Sequence, residues 1–307
     1  MRPLLTFLSL AVGWFLSSAA RGDDTDFVIV GYLPDYRVAS IDPERLKPLT
    51  DLVYFSLRPT ADGGLDGQNI PPATLKTLHE IKRIAKCRLL ICVGGWERSD
   101  GFAEMAKSDE ARRRFVAELR LFCQRNDFDG VDYDWEHPRD DGERAAYSQL
   151  IADTKEAFRQ PGYSVTVAQA GWQDLGKATY AALDRVHLMS YDHDFPQATL
   201  AKATEDVERL IQWGCPAEKI AMGLPFYGRN REGAAKTYQE LVILPSAKSG
   251  SDTVNGFAFN SESTVTNKVK WAADKQLAGV MIWEVGQDAS DPRRSLLQAI
   301  SRTALSL

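Results

Sequence analysis

The chain has 307 residues, with 37 basic and 42 acidic side chains and a net charge of −5. The basic residues form no dominant block, which argues against nucleic acid as a partner. The cysteines include no C-x-x-C pair and the histidines show no ligand spacing, so zinc and thioredoxin-type chemistry are disfavoured. These residues are Cys87, Cys92, Cys123, Cys215, His79, His137, His187 and His193. We predict neither a metal nor a cofactor.

Residues 1–22 fit a secretory signal peptide. Arg2 precedes an apolar run over residues 4–16 and a small-residue segment that ends at Ala20, after which we expect cleavage. The run is too short to span a membrane, and no later segment approaches the roughly 20 apolar residues that a span requires. An uncleaved anchor is the alternative. We predict a secreted protein, extracellular or periplasmic, that acts as a monomer away from the membrane.

Eight apolar segments, mostly separated by helical patterns, follow the signal peptide. The predicted strands are residues 27–32, 52–57, 88–96, 129–136, 164–168, 185–192, 220–226 and 277–283. The predicted helices are residues 71–86, 109–125, 145–158, a stretch around Tyr180, and 204–213. Strands that alternate with helices favour a parallel sheet, and a count of eight favours its closure into a barrel.

We therefore predict an α/β fold in which residues 23–307 form one (β/α)8 TIM barrel, although the length alone would also allow two domains. The connection at 229–267, between the seventh and eighth strands, is atypical. We expect a small insertion there over the barrel mouth, with two possible strand pieces at 238–244 and 256–260. Catalytic groups of such barrels lie at the carboxyl ends of the strands.

The fourth predicted strand alternates apolar and acidic side chains. Its apolar members are Val131, Tyr133 and Trp135, and its acidic members are Asp132, Asp134 and Glu136. A period of two places the three carboxyl groups on one face, with successive members roughly 6.5 to 7 Å apart. Such crowding raises at least one carboxyl pKa, and it points to acid–base chemistry. Asp129 has the opposite parity, so we interpret it as structural.

Two simpler interpretations of this row compete with catalysis. A helix-loop-helix calcium site needs a glycine after its third ligand and lacks strand-like alternation, so it fits poorly. A solvated polar face is the second alternative. The apolar side chains on the opposite face imply burial against helices, which directs the carboxyl groups into the interior or a cleft.

With this row, the sequence resembles glycoside hydrolase family 18, the chitinases and their relatives. Their hallmark is D-x-x-D-x-D-x-E at the end of the fourth barrel strand, and residues 129–136 match it. Further similar segments are residues 31–32, 93–96, 189–192, 223–229 and 279–283. Two features depart from the family: Cys92 stands where serine is usual, and the 228–267 connection is too short for the full α+β insertion of many processive chitinases. A shallower cleft is our hypothesis.

The resemblance implies a retaining, substrate-assisted mechanism, in which the 2-acetamido group of the substrate attacks the anomeric carbon. Glu136 would be the general acid and then the base, Asp134 would orient the acetamido N–H, and Asp132 would share a proton with Asp134. Tyr191 would donate to the acetamido oxygen. Substrate-binding candidates are Tyr32, Phe55, Trp96, Met189, Asp192, Tyr227, Arg229 and Trp283, and Trp172 extends the sugar platform.

The predicted function is hydrolysis of β-1,4-linked N-acetylglucosamine polymers or oligomers, with this polysaccharide or oligosaccharide as the partner. One alternative keeps the chemistry and changes the substrate to N-glycan cores or peptidoglycan. Another is a chitin-binding lectin that kept the barrel and lost catalysis. Such relatives typically replace the acid, whereas Glu136 is present.

Overall fold

The computed structural model describes residues 27–307, so the predicted signal peptide at 1–22 lies outside the described residues. Within this range eight parallel strands form the barrel. They are β1 (Val28–Pro34), β2 (Asp51–Pro59), β3 (Arg88–Gly94), β4 (Gly130–Asp134), β5 (Ser164–Ala170), β6 (Arg185–Met189), β7 (Ile220–Pro225) and β8 (Gly279–Trp283).

The strands follow one another around the barrel in chain order, and parallel pairing of β1 with both β8 and β2 closes it. Nine α-helices occur in residues 27–307. They are α1 (Pro72–Ala85), α2 (Phe102–Lys107), α3 (Asp109–Asn126), α4 (Asp141–Phe158), α5 (Lys177–Ala182), α6 (Leu200–Gln212), α7 (Tyr238–Val242), α8 (Glu262–Asp274) and α9 (Leu296–Ala304). The predicted TIM barrel is confirmed. None of the helices in residues 27–307 is long and apolar enough to cross a membrane.

Two apolar layers hold the barrel together. The larger layer lies between the strands and the helices, and it includes Val131, Tyr133 and Trp135 of the acidic segment. Trp135 stacks on Phe102 of α2, with ring centroids 5.1 Å apart. The second layer fills the barrel interior with Val30, Tyr32, Val53, Phe55, Leu90, Cys92, Ala168, Ala221 and Met281. The alternation along β4 therefore separates an apolar outer face from an acidic interior face, as the period of two predicts.

Asp129 plays the structural role that its parity suggests. Its carboxylate accepts a hydrogen bond of 2.8 Å from the Leu89 backbone N–H and lies 2.9 Å from the Lys82 ammonium. These contacts join the start of β4 to β3 and α1. All four cysteines are buried free thiols, and Cys92 is a small side chain of the barrel interior.

The connection after β7 differs from its prediction. Residues 238–244 do not form a strand, because Tyr238–Val242 is the helix α7. The Thr237 hydroxyl accepts a hydrogen bond from the Glu240 N–H, and the Glu240 carboxylate accepts one from the Thr237 N–H. This reciprocal capping box outweighs the β-rich composition.

The second strand expected in the connection is shorter than predicted, and α8 already begins at Glu262, inside the predicted insertion. A four-stranded antiparallel sheet forms the rest of the insertion. Its strands are Tyr227–Arg229, Ala235–Thr237, Thr253–Val254 and Phe257–Ala258. Residues of this sheet border a 290 Å³ hollow beside Asp192 and Trp283, so the insertion forms one edge of the barrel mouth.

Candidate active site

The three carboxyl groups of the acidic row lie at different depths in the barrel, and their exposure increases from Asp132 to Glu136. Asp132 is fully buried, Asp134 is 3% exposed, and Glu136 stands just past the end of β4 with 14% of its side chain exposed. The Glu136 backbone N–H donates to the Ser99 hydroxyl, which itself donates to the Asp134 carbonyl. These bonds fix the segment at the barrel mouth, so that Glu136 faces the cleft while Asp132 and Asp134 remain beneath it.

Asp134 is buried without a compensating cation. Burial, followed by the charges of Glu136 and Asp132, raises its pKa well above the ordinary value. Its Oδ1 has no hydrogen-bond partner among the described residues. The protonated form is therefore favoured, and the buried Oδ1 is an acceptor that no donor among the described residues uses.

Glu136 holds a proton close to neutral pH. Burial raises its pKa to about 7; a hydrogen bond from the Trp96 backbone opposes this shift, and the Asp192 charge adds to it. At pH 7 roughly half of the molecules therefore carry a protonated Glu136. A general acid is most effective when its pKa lies near the working pH, and Glu136 meets this condition.

A pocket of about 390 Å³ opens above the row. Its lining brings together most of the residues that the sequence nominates: Tyr32, Phe55, Trp96, Asp134, Glu136, Met189, Tyr191, Asp192, Arg229 and Trp283, with Ala168. Asp132 lies below this lining and Tyr227 behind it. Trp283 forms part of the apolar floor, and it packs edge-on against Phe55 at a centroid distance of 4.9 Å. An aromatic floor of this kind suits the C–H face of a pyranose ring.

Asp192, Tyr227 and Arg229 form one ion-pair cluster at the rim. Arg229 donates to Asp192 from Nε at 2.5 Å and from Nη2 at 3.0 Å, and the Tyr227 hydroxyl donates to Asp192 Oδ1 at 2.9 Å. Three hydrogen bonds therefore fix the Asp192 carboxylate in place.

Tyr191 and Met189 occupy the wall next to the row. The Tyr191 hydroxyl lies 3.9 Å from the Met281 sulfur, and its ring meets the Tyr227 ring edge-on at 6.3 Å. Burial raises the pKa of Tyr191 well above its ordinary value, so the hydroxyl stays protonated and can donate.

Two tryptophans flank Glu136 on the open side of the cleft. Trp96 is 70% exposed and Trp172 is 64% exposed. Both line a second hollow of about 530 Å³ that adjoins the first and shares Glu136 with it. His137 packs its ring against Trp172 at 4.8 Å. Exposed rings on either side of a general acid can bind the sugars that flank a scissile bond.

Sequence reasoning missed Thr166 and His187, two of the three groups around Asp132, and assigned the third, Tyr32, only to substrate binding. The Thr166 hydroxyl donates to Asp132 Oδ1 at 2.5 Å, the Tyr32 hydroxyl donates to Oδ2 at 2.5 Å, and His187 Nδ1 lies 3.0 Å from Oδ1. Thr166 and His187 each interrupt a run of apolar side chains in an interior strand. An isolated polar residue at an inward position of such a strand was the signal available in the sequence.

A further contact between distant segments was also missed. Arg37 Nε donates to Glu284 Oε1 at 3.0 Å and joins the loop after β1 to the end of β8. Glu284 is fully buried, and its Oε2 accepts a hydrogen bond from the Gly286 N–H. This ion pair lies beside the Trp283 floor and fixes the segment that carries it.

Comparisons with known proteins agree with this geometry. The family model "Glycosyl hydrolases family 18" matches residues 28–288. "Probable chitinase 2" of Drosophila melanogaster is 26% identical over 66% of this chain, which spans only 56% of that relative's length. A solved chitinase structure from Bacteroides thetaiotaomicron has a TM-score of 0.81 at 24% identity and covers 91% of this chain and 96% of its own.

The chitinase-like agglutinin of Robinia pseudoacacia is similar as well, with a TM-score of 0.76, 22% identity and coverage of 89% and 98% of the two chains. At such identities the structural matches establish the fold. The family match covers far more than half of the chain, and its acidic row lies at the carboxyl end of β4. This chain therefore belongs to family 18 of the glycosyl hydrolases.

Proposed function

We propose that the chain hydrolyses β-1,4-linked N-acetylglucosamine polymers or oligomers. The observation that carries this proposal is Glu136, a carboxyl group whose pKa is raised by burial to about 7 and which lines an aromatic-floored pocket. Cleavage of a glycosidic bond requires protonation of the leaving oxygen, and Glu136 supplies that proton. In the second step the resulting carboxylate removes a proton from water.

The states of the other carboxyl groups support participation by the substrate's own acetamido group. A protein nucleophile would have to be an accessible, ionised carboxylate. Asp134 retains its proton, Asp132 lies below the pocket lining, and both Asp192 oxygens are engaged by hydrogen bonds from Arg229 and Tyr227. The acetamido oxygen then attacks the anomeric carbon as the bond to the leaving oxygen breaks, and the oxygen leaves with the Glu136 proton.

The remaining groups suit this chemistry. Asp134 accepts the acetamido N–H and stabilises the cation that forms, while Tyr191 donates to the acetamido oxygen. Met189 packs against the acetamido methyl group, and Trp283 supports the sugar ring. Water attacks the cyclic intermediate on the face that the leaving group vacated, so the product keeps the β-configuration.

The test is product analysis with a panel of substrates. Purified protein and its Glu136→Gln variant are incubated with chitin oligomers, peptidoglycan and a high-mannose glycopeptide, and oligomer binding is measured by calorimetry. We expect the protein to cut chitin oligomers and the variant to lose roughly 10³- to 10⁴-fold in kcat while it still binds them.

Each other outcome contradicts a defined part of the proposal. Cleavage of only peptidoglycan or the glycopeptide would keep the chemistry and reject the substrate. Binding of oligomers without cleavage of any substrate would favour a lectin, the function named for the Robinia protein of the same fold. Unchanged activity of the Glu136→Gln variant would reject Glu136 as the acid.

We also propose that the protein is exported and works as a monomer. The charged, apolar and small-residue regions of residues 1–22 support export. Mass spectrometry of the protein recovered outside the cytoplasm should give a mature chain that begins at Arg21. A full-length chain retained inside the cell would contradict the proposal. Light scattering of the purified protein measures its molar mass, and the mass of one chain is the result expected for a monomer.

A further inference from the structure

His187 is a buried imidazole next to the acidic row. It lies on β6 with no exposed surface, and its ring meets the Tyr32 ring edge-on at a centroid distance of 5.8 Å. Its Nδ1 is 2.8 Å from the Tyr32 hydroxyl and 3.0 Å from Asp132 Oδ1, while its Nε2 is buried without a partner among the described residues. One ring nitrogen therefore carries all of its polar contacts.

The contacts determine where the imidazole proton resides. Tyr32 has a single hydroxyl proton and donates it to Asp132 Oδ2 at 2.5 Å, so it cannot also donate to His187. A bare Nδ1 would then place its lone pair against a carboxylate oxygen. A proton on Nε2 would leave a buried donor unpaired, which costs free energy. The neutral tautomer with the proton on Nδ1 satisfies both conditions.

Asp132 consequently receives a donor on each oxygen. Thr166 donates to Oδ1 and Tyr32 donates to Oδ2, while the His187 Nδ1–H donates to the Tyr32 oxygen and so directs the Tyr32 proton at Asp132. The Thr166 and Tyr32 hydrogen bonds both use an Asp132 oxygen as the acceptor. The neighbouring Asp134 has a buried oxygen with no donor at all among the described residues. The shared proton of the pair then belongs on Asp134, the member that faces the pocket.

We propose that His187 is a positioning residue for the proposed glycosidase reaction: its Nδ1–H bond to the Tyr32 oxygen directs the Tyr32 hydroxyl at Asp132, holds Asp132 as an acceptor, and so keeps the shared proton on Asp134, the member of the pair that lines the pocket. The inference rests on the proposed function, because the acidic row is assigned its chemistry there. The titratable groups that share this interior layer are Tyr32 on β1, Cys92 on β3, and Asp132 and Asp134 on β4.

Two substitutions separate the hydrogen bond from the volume of the ring. His187→Leu removes the donor and fills the space, whereas His187→Asn keeps a neutral N–H donor near the same position. His79→Leu is the matched control, since His79 lies on α1 outside the barrel and its Nε2 forms a hydrogen bond with the Asn126 carbonyl. Loss of the hydrogen bond that directs the Tyr32 hydroxyl at Asp132 predicts that His187→Leu lowers kcat roughly 10- to 100-fold.

We expect KM of His187→Leu to stay within about twofold, because His187 does not line the pocket. The pH profile of kcat should change in this variant, and His187→Asn should recover most of the activity. Unchanged kcat and an unchanged pH profile in His187→Leu would overturn the inference, as would equal losses in the leucine and asparagine variants, which would indicate packing alone.

The imidazole proton is measured independently of activity. In ¹⁵N-labelled protein, long-range ¹H–¹⁵N NMR spectra assigned by means of His187→Asn should show a neutral ring protonated at Nδ1. A neutral ring protonated at Nε2, or an imidazolium, would reject the inference even if the leucine variant failed to fold. A native protein that cuts no substrate would reject the proposed function, and the NMR spectra would still determine the tautomer separately.

Discussion

The two ends of the barrel bury aspartates under opposite electrostatic conditions. At the amino end of the strands, fully buried Asp51 lies 2.6 Å from Arg88 Nε and accepts a hydrogen bond of 3.1 Å from Arg185 Nη1. Burial alone would raise its pKa, but the two guanidinium groups reverse the shift and lower it. At the carboxyl end Asp134 has no such partner, and burial with two carboxyl neighbours raises its pKa.

The difference shows which buried charges serve the fold and which serve chemistry. A paired carboxylate is ionised at every pH at which the protein works, so it contributes a fixed contact. An unpaired buried carboxyl group retains a proton that it can share with a substrate. Substitution of a paired carboxylate should therefore lower stability, whereas substitution of an unpaired carboxyl group should lower the reaction rate.

Removing the paired carboxylate should have the largest effect on stability. Asp51→Asn leaves Arg185 buried without its counter-charge, so the free energy of unfolding should fall by about 3–5 kcal/mol. The matched control is Asp62→Asn in the exposed Asp62–Arg114 pair, which should cost far less stability because solvent screens that pair. Urea denaturation measures both values. Equal losses would show that burial of the pair does not matter.

Substitution of aspartate by asparagine at the carboxyl end of the strands should lower kcat rather than stability. Asp134→Asn replaces a neutral carboxyl group by a neutral amide of similar shape, so the folded state loses little. The amide cannot move the proton, and kcat should fall roughly 100-fold. Urea denaturation measures the stability of the variant, and steady-state kinetics measure its kcat. A loss of stability as large as that of Asp51→Asn would contradict the contrast between the two ends.

The pH dependence of kcat/KM should reveal the unpaired acid at the mouth. The pKa of Glu136 is about 7, so the rate should fall roughly tenfold per pH unit above that value as the acid loses its proton. Asp192→Asn removes a negative charge that raises this pKa, and the falling limb should move to lower pH. Asp274→Asn, at an exposed position on α8, is the control. A limb that stays in place would reject Asp192 as a modulator of Glu136.

Lys268 extends the comparison to a buried base, with the smallest expected effect. Its ammonium group donates to the Ala198 carbonyl and to Asn260 Oδ1, and burial lowers its pKa to about 7 against the opposing charges of Asp252 and Asp206. An unfolded lysine retains a pKa of about 10.4. Between these values the unfolded state binds the extra proton, so stability rises with pH and is lost as pH falls through 7.

The substitution Lys268→Met isolates this contribution. The difference in unfolding free energy between the native protein and the variant should increase in favour of the native protein by about 1 kcal/mol per unit above pH 7. Urea denaturation at several pH values between about 6.5 and 9.5 measures this difference. A difference independent of pH would mean that Lys268 titrates normally in the folded protein.

The sequence predicts the barrel and the acidic row well because both depend on local periodicity. The alternation along β4 separates the residues that face the helices from those that face the interior, without knowledge of any other strand. The short connection after β7 was less predictable, and its β-rich composition was misleading although the Thr237–Glu240 capping box was present in the sequence.

The sequence did not predict which residues contact each other across the barrel. Thr166 lies opposite Asp132 in the β4–β5 register, but His187 reaches Asp132 across the interior of the closed barrel from a strand that is not its neighbour. Arg37 and Glu284 are 247 residues apart and meet only because β1 pairs with β8. Such pairs depend on strand order and register, which periodicity does not determine.

The anomeric configuration of the first products tests the proposed chemistry of the acidic row most directly. Chitin oligomers are incubated with the native protein, and ¹H NMR spectra are recorded before the anomers equilibrate. An acidic row without an ionised protein nucleophile predicts attack by the acetamido group and products that retain the β-configuration. Initial formation of the α-anomer would show direct attack by water and would contradict the assignment of the row.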